Sequence, residues 1–163
     1  MFKLELVRKT PLGQKDDEDI SVSEAIFSAY SDYETDIHLF FNDLILCLSR
    51  KGDISDIYGD IVDIFKQIEH GTKEFYMAFL SSSFTTHWDF ELITPNVIKI
   101  KAKWVDVVYF DKKQSMIKKS EIKIHVSEFM EQWKKIFEPI KNDLLTLGYD
   151  NKLEGFYFLE NLN

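Results

Sequence analysis

The sequence predicts an α+β fold, a mostly antiparallel, twisted sheet with two main helices packed against it. Three observations carry that reading. Runs of alternating apolar and polar residues come in pairs joined by short turns, which is hairpin patterning and not βαβ winding. Two longer stretches, 55–69 and 128–147, repeat apolar residues at three- and four-residue steps. The 163 residues, 45% apolar and 15% aromatic, suit one domain, 1–163. A chain of this length buries roughly 70% of its unfolded surface.

Residues 2–8 begin with alternating apolar and charged positions, the pattern of a half-buried strand that Pro11 and Gly13 end. Asp16 to Asp19 form a polar loop. Ser21-Val22-Ser23-Glu24 fits a capping box and starts a short helix over about 22–30, with Ile26, Ala29, Tyr30 and Tyr33 on its apolar face; a strand competes for the same residues. Tyr33 to Phe41 alternates, and Asn42-Asp43 separates it from the apolar run Leu44 to Leu48, so a hairpin is expected. On that reading Asp32, Glu34 and Asp36 share one sheet face.

The helix over 55–69 takes Ser55 as its N-cap and buries Ile54, Ile57, Ile61, Phe65 and Ile68. Asp56, Asp60, Asp63 and Gln67 lie opposite, with Lys66 off that ridge and Gly71 as the stop. Residues 73–82 read as a buried strand. Residues 84–105 form the clearest hairpin, turning at Thr94-Pro95-Asn96 with Ile93 opposite Val97. That register sets Glu91 against Lys99 and Asp89 against Lys101, and on the other face Leu92 against Ile98 and Phe90 against Ile100. It also gives the three lysines of this strand a cross-strand explanation.

A bulge near Trp104 leads on to Phe110, and a lysine-bearing turn covers 111–120. Ile122, Ile124 and Val126 mark the next strand. Ser127 caps a helix of about 128–147 whose stripe is Phe129, Trp133, Ile136, Ile140, Leu144 and Leu147. Pro139 should kink or divide it, and Gly148 ends it. The tail around Gly155 to Leu159 packs as a short helix or an edge strand.

The charge is one-sided. Between Asp16 and Glu69 fourteen acids face only Arg50, Lys51 and Lys66, a net of −11 in a chain of −8. From Asp16 to Ser49 there are nine carboxylates and no lysine or arginine. Such a field repels nucleic acid and anionic membrane and attracts a basic protein. If acids from the two segments meet on one exposed patch, that patch is the contact surface.

Catalytic signals are weak. The four histidines show no ligand spacing, the single Cys47 sits between leucines, and no phosphate-binding glycine loop or Gly-x-Ser-x-Gly occurs. Asp16-Asp17-Glu18-Asp19 lacks the glycine and glutamate of a calcium loop. No cofactor or metal is therefore expected, and no enzyme activity. The charged start at Met1–Glu5, the lone cysteine and the absence of a long apolar run make the cytoplasm the expected compartment. The oligomeric state stays open.

Small, acidic, motif-free α+β chains resemble the immunity proteins of bacterial polymorphic-toxin and contact-dependent growth-inhibition systems. Here the resemblance lies in overall character, in the aromatic hairpin Trp88–Trp104 and in the block Val126-Ser-Glu-Phe-Met-Glu-Gln-Trp. It implies stoichiometric neutralisation of a basic, nuclease-like toxin domain. The candidate contact residues are the carboxylates Asp16, Asp17, Glu18, Asp19, Asp32, Glu34, Asp36, Asp56, Asp60 and Asp63, with Tyr30, Tyr33 and Tyr58 as anchors. The alternatives are a structural or regulatory interaction domain kept soluble by its acidity, and a small metal-dependent hydrolase.

Overall fold

The computed structural model describes residues 1–162. In chain order its elements are β1 (Phe2–Leu6), α1 (Val22–Ala29), β2 (Ile37–Phe41), β3 (Leu44–Leu48), α2 (Ser55–Glu69), β4 (Glu74–Ser81), β5 (Phe84–Thr94), β6 (Val97–Val107), β7 (Lys119–His125), α3 (Val126–Thr146) and α4 (Phe156–Glu160). The α+β architecture follows the expectation, with every strand pair antiparallel. The strands divide between two sheets, ordered β1-β2-β3 and β4-β5-β6-β7.

The two sheets are joined by backbone. Just beyond β6 the chain runs beside β3, where the Cys47 N–H donates to the Val108 carbonyl at 2.8 Å and the Phe110 N–H to the Ile45 carbonyl at 3.0 Å. The outer edge of β1 is met by α3, whose Gln132 side chain accepts the Leu4 N–H. That leaves β4 and β7 as the terminal strands of the larger sheet.

One aromatic cluster fills the space between the sheets and α3. The Phe2 ring lies 5.1 Å from Phe129, and Phe41 lies 5.7 Å from Trp88 and 5.2 Å from Trp104. Contacts of this kind, tilted at Phe129 and edge-on at Phe41, add to the apolar burial of each ring. Alternation decides which rings take part: Phe84, Trp88, Phe90, Ile98, Ile100 and Trp104 point inward, while Asp89, Lys101 and Lys103 stay out.

The β5–β6 register matches the four pairs expected from charge and apolar pattern. Its turn is tighter than expected. Thr94 pairs with Val97, so Pro95-Asn96 make a two-residue turn and Ile93 is bulged out. The second irregularity sits at Val105, where the expected bulge falls. Residues 75–80 differ more. β4 is an edge strand with Phe79 buried but Tyr76 54% and Leu80 71% exposed, because one face of this sheet has no layer over it.

Both long helices keep their apolar stripes buried; only Leu147, just past α3, is half-buried. α1 has the capping box at Ser21 and Glu24, and Gly148 takes φ +95° after α3. α2 spans the expected 55–69, but neither Ser55 nor Ser127 is a helix N-cap. α3 begins at Val126 directly from β7 with no side-chain cap, and Pro139 leaves it continuous. α2 is preceded by a π-helical turn, Arg50–Ile54, for which Ser49 is the cap.

Candidate functional site

The sequence-predicted acids fall into three places. Asp16, Asp17, Glu18 and Asp19 lie on a loop between β1 and α1 that is fastened to the end of α3. The Tyr149 hydroxyl donates to Asp19 at 2.5 Å and accepts the Asp16 N–H at 3.0 Å, while Lys15 pairs with Asp17 at 3.2 Å. Asp16 Oδ1 also takes the Glu18 N–H, which tightens the loop.

The second group corrects the expected acidic sheet face. Residues 31–36 are not part of a strand; β2 begins only at Ile37. Asp32 accepts two hydrogen bonds from the Arg8 guanidinium, at 2.7 and 2.9 Å, and Glu34 approaches the same group at 3.5 Å. The fork-to-carboxylate bond to Arg8 holds the Asp32 pKa down at about 2.

Asp36 is 1% exposed. Its Oδ2 accepts from Arg50 Nε at 2.9 Å and from the Thr10 hydroxyl at 2.6 Å, and its Oδ1 takes the Arg50 N–H at 2.8 Å. Neither Asp36 nor Tyr30 can therefore meet a partner. The Tyr30 ring lies under the Arg50 guanidinium at 4.2 Å, and its hydroxyl donates to Asp143 at 2.8 Å. Removal from water pushes the Tyr30 pKa up. Tyr58 is also buried, its hydroxyl donating to the Gly155 carbonyl at 2.7 Å. Of the three tyrosines only Tyr33 is exposed, beside Phe27 and Lys51.

The third group is the α2 ridge. The start of α2 is anchored by Asp53, a buried carboxylate that accepts from the Ser81 and Ser83 hydroxyls at 2.5 and 2.6 Å and from the Ser49 N–H at 2.9 Å. Those bonds tie the helix start to the β4–β5 turn. Ile57, Ile61, Ile64 and Ile68 then face the core, which turns Asp56, Asp60 and Asp63 outward. Partial burial raises the Asp56 pKa, helped by the nearby Asp53 charge and opposed by the Ser81 hydroxyl. Asp60 is half-buried and its pKa is pushed up to about 6, first by loss of water and then by the Asp63 charge. Among the described residues no hydrogen bond or ion pair reaches the Asp60 carboxylate. Lys66 does reach Asp63, at 3.5 Å, through an exposed pair worth little in water.

The loop and the ridge do not merge. One is bonded to Tyr149, the other sits by Ser81, and no hydrogen bond or ion pair joins them among the described residues. Nor do the described residues include a cluster of three or more His, Cys, Asp or Glu side chains placed to hold a metal ion. No helix is long and apolar enough to cross a membrane among those residues.

Sequence reasoning missed Arg50, Asp53, Asp143, Ser81 and Ser83. One cue was available: Arg50 is the first base after nine acids and directly follows an apolar strand, where an exposed arginine would be out of place. Nothing in the spacing ties Asp53 to serines about thirty positions away.

Comparison with protein-family models, with curated proteins and with solved structures gives no match.

Proposed function

We propose that this chain is a protein-binding module of the immunity type, which sequesters a basic, toxin-like domain in the cytoplasm by one-to-one binding. The contact surface in this reading is the α2 ridge, Asp56, Asp60 and Asp63, next to the terminal strand β4. The observation that supports it most is Asp60. A half-buried carboxylate with no cation on it among the described residues raises the energy of the free protein at neutral pH. A lysine or arginine from a partner would supply the missing charge and lower the Asp60 pKa.

The exposed loop acids Asp16, Asp17 and Glu18 are a separate group that adds long-range attraction for a cationic partner. Asp32 and Asp36 play no part in it, since Arg8 and Arg50 already hold them, whereas Glu34 is exposed and paired no more closely than Asp63. Exposed Tyr33, and Tyr76 and Leu80 on β4, are the apolar groups near enough in the chain to add contact area.

The test uses the neighbouring reading frame. A large secreted protein encoded just upstream, with a basic C-terminal domain, is the expected partner. That domain should bind the purified chain with an association rate approaching 10⁸ M⁻¹s⁻¹, to about that order, at low salt. The rate should fall as ionic strength rises. The triple variant Asp56→Asn, Asp60→Asn, Asp63→Asn should associate more slowly while staying folded. Equal rates for the variant and the unaltered chain would remove the ridge from the interface.

A further inference from the structure

Residues 6–12, which leave β1, and one face of α3 enclose a groove of about 840 Å³. Pro139 and Asp143, one helical turn apart, stand on the α3 side, with Leu6, Val7 and Leu12 on the other. Arg50 also lines this groove although it is only 4% exposed.

Arg50 is fixed in place. Its Nε donates to Asp36, its Nη1 to the Tyr30 hydroxyl at 3.1 Å and to Asp143 Oδ2 at 3.5 Å, and its plane covers the Tyr30 ring. Its Nη2 has no partner among the described residues. Asp143 is in the same condition. Both of its hydrogen bonds, from Tyr30 and Arg50, go to Oδ2, and Oδ1 has none. A clamped guanidinium and a clamped carboxylate thus stand side by side, each with one unused atom. Holding them so costs a ligand little ordering entropy.

Charge balance narrows the ligand. Arg8 is neutralised by Asp32 and Arg50 by Asp36. What remains in the groove is one positive group, Lys9, and one negative group, Asp143. A dianion such as phosphate would face Asp143, and a simple cation would face Lys9 and Arg50. A molecule with adjacent opposite charges satisfies both, and the apolar residues favour a hydrophobic body.

We propose that this groove binds a free α-amino acid with an apolar side chain. Its carboxylate meets Arg50 Nη2 and Lys9, its ammonium meets Asp143 Oδ1, and its side chain lies against Leu6, Val7 and Pro139. This site is separate from the α2 ridge and stands or falls independently of it.

Titration of the full chain with L-leucine, followed by amide NMR shifts, tests the assignment. Saturable shifts confined to residues 6–12 and 139–146 are expected. N-acetyl-L-leucine, which lacks the ammonium, and L-leucinamide, which lacks the carboxylate, should each bind weaker by about tenfold or more, the loss of one charged contact. Asp143→Asn, which keeps an acceptor for Tyr30, should weaken leucine to a similar degree. If that variant does not fold, the two analogues decide the matter on the unaltered chain. No saturable shift with leucine overturns the proposal. So does equal binding of N-acetyl-leucine, which would make this a plain carboxylate site, or equal binding of leucinamide.

Discussion

Residues 31–36 and 56–63 look alike as sequence, each with three aspartates or glutamates and no base, yet the fold uses them in opposite ways. In the first, Arg8 comes from just beyond β1 and Arg50 from just beyond β3; they bond Asp32 and Asp36, and Arg8 approaches exposed Glu34 at 3.5 Å. In the second, no arginine arrives. Among the described residues only Lys66 approaches, and only at Asp63. The difference is one of delivery. A local excess of acid becomes a surface field only where the chain brings no cation back to it. Burial enforces the first outcome, because an unpaired Asp36 at its depth would cost several kcal/mol. Asp60 is shallower, so it tolerates isolation by holding its proton more tightly.

Substitutions should expose that contrast in order of size. Asp36→Ala strips buried Arg50 of its closest carboxylate and leaves it only Asp143 at 3.5 Å, and urea denaturation should show a loss of about 3–5 kcal/mol. A loss below about 1 kcal/mol would mean that the pair is no structural tie. Ser81→Ala removes one of the hydrogen bonds that hold Asp53 and the start of α2. A loss of about 1–2 kcal/mol is expected, and no loss would show that Ser83 and the Ser49 amide suffice.

Asp60→Asn should act in the opposite direction. The folded-state pKa of Asp60 lies above its unfolded value, so its stabilising contribution is complete below the unfolded pKa and is lost as pH rises through about 6. At neutral pH the asparagine variant should therefore be more stable, by about 1 kcal/mol after allowing for solvent screening. Its stability should also vary less between about pH 4 and pH 6. A destabilised variant would mean that the Asp60 charge already has a partner.

The smallest effect belongs to Asp32. Its lowered pKa gives stability that is present above the unfolded value and lost as pH falls through about 2. Asp32→Asn should lower neutral-pH stability slightly, because the contribution is present there, and flatten the acid limb of the denaturation profile.

The same contrast marks how far the sequence could be read. Periodicity and local chemistry were enough for the α2 and α3 stripes, the Ser21–Glu24 capping box and the pairing of Glu91 with Lys99. Each depends on residues close in sequence or joined by a short turn. Tyr33-to-Asp36 alternation suggested a longer strand, and what overrode it is non-local: Arg8 and Arg50 capture the side chains of 32–36 and hold them out of the sheet. The range of α2 was legible but its cap was not, since the turn before it is capped by Ser49 and tied through Asp53 to Ser81 and Ser83 of another hairpin. The seating of residues 108–110 beside β3 follows no local pattern either, because backbone groups make that contact. Of the candidate site, the α2 ridge was visible as an exposed helix face. The burial of Tyr58 was not, nor was the bond from Tyr30 to Asp143, since each hydroxyl reaches a residue about a hundred positions away.

Among the described residues Asp60 has no counter-charge. Carbon-detected NMR titration of the aspartate carboxyl groups measures this directly, one residue at a time. Asp60 should titrate with a midpoint near 6, well above Asp32 at about 2 in the same sample. An Asp60 midpoint at the ordinary aspartate value of about 4 would show that its charge is already solvated or paired, and the α2 ridge would lose its claim to a cationic partner.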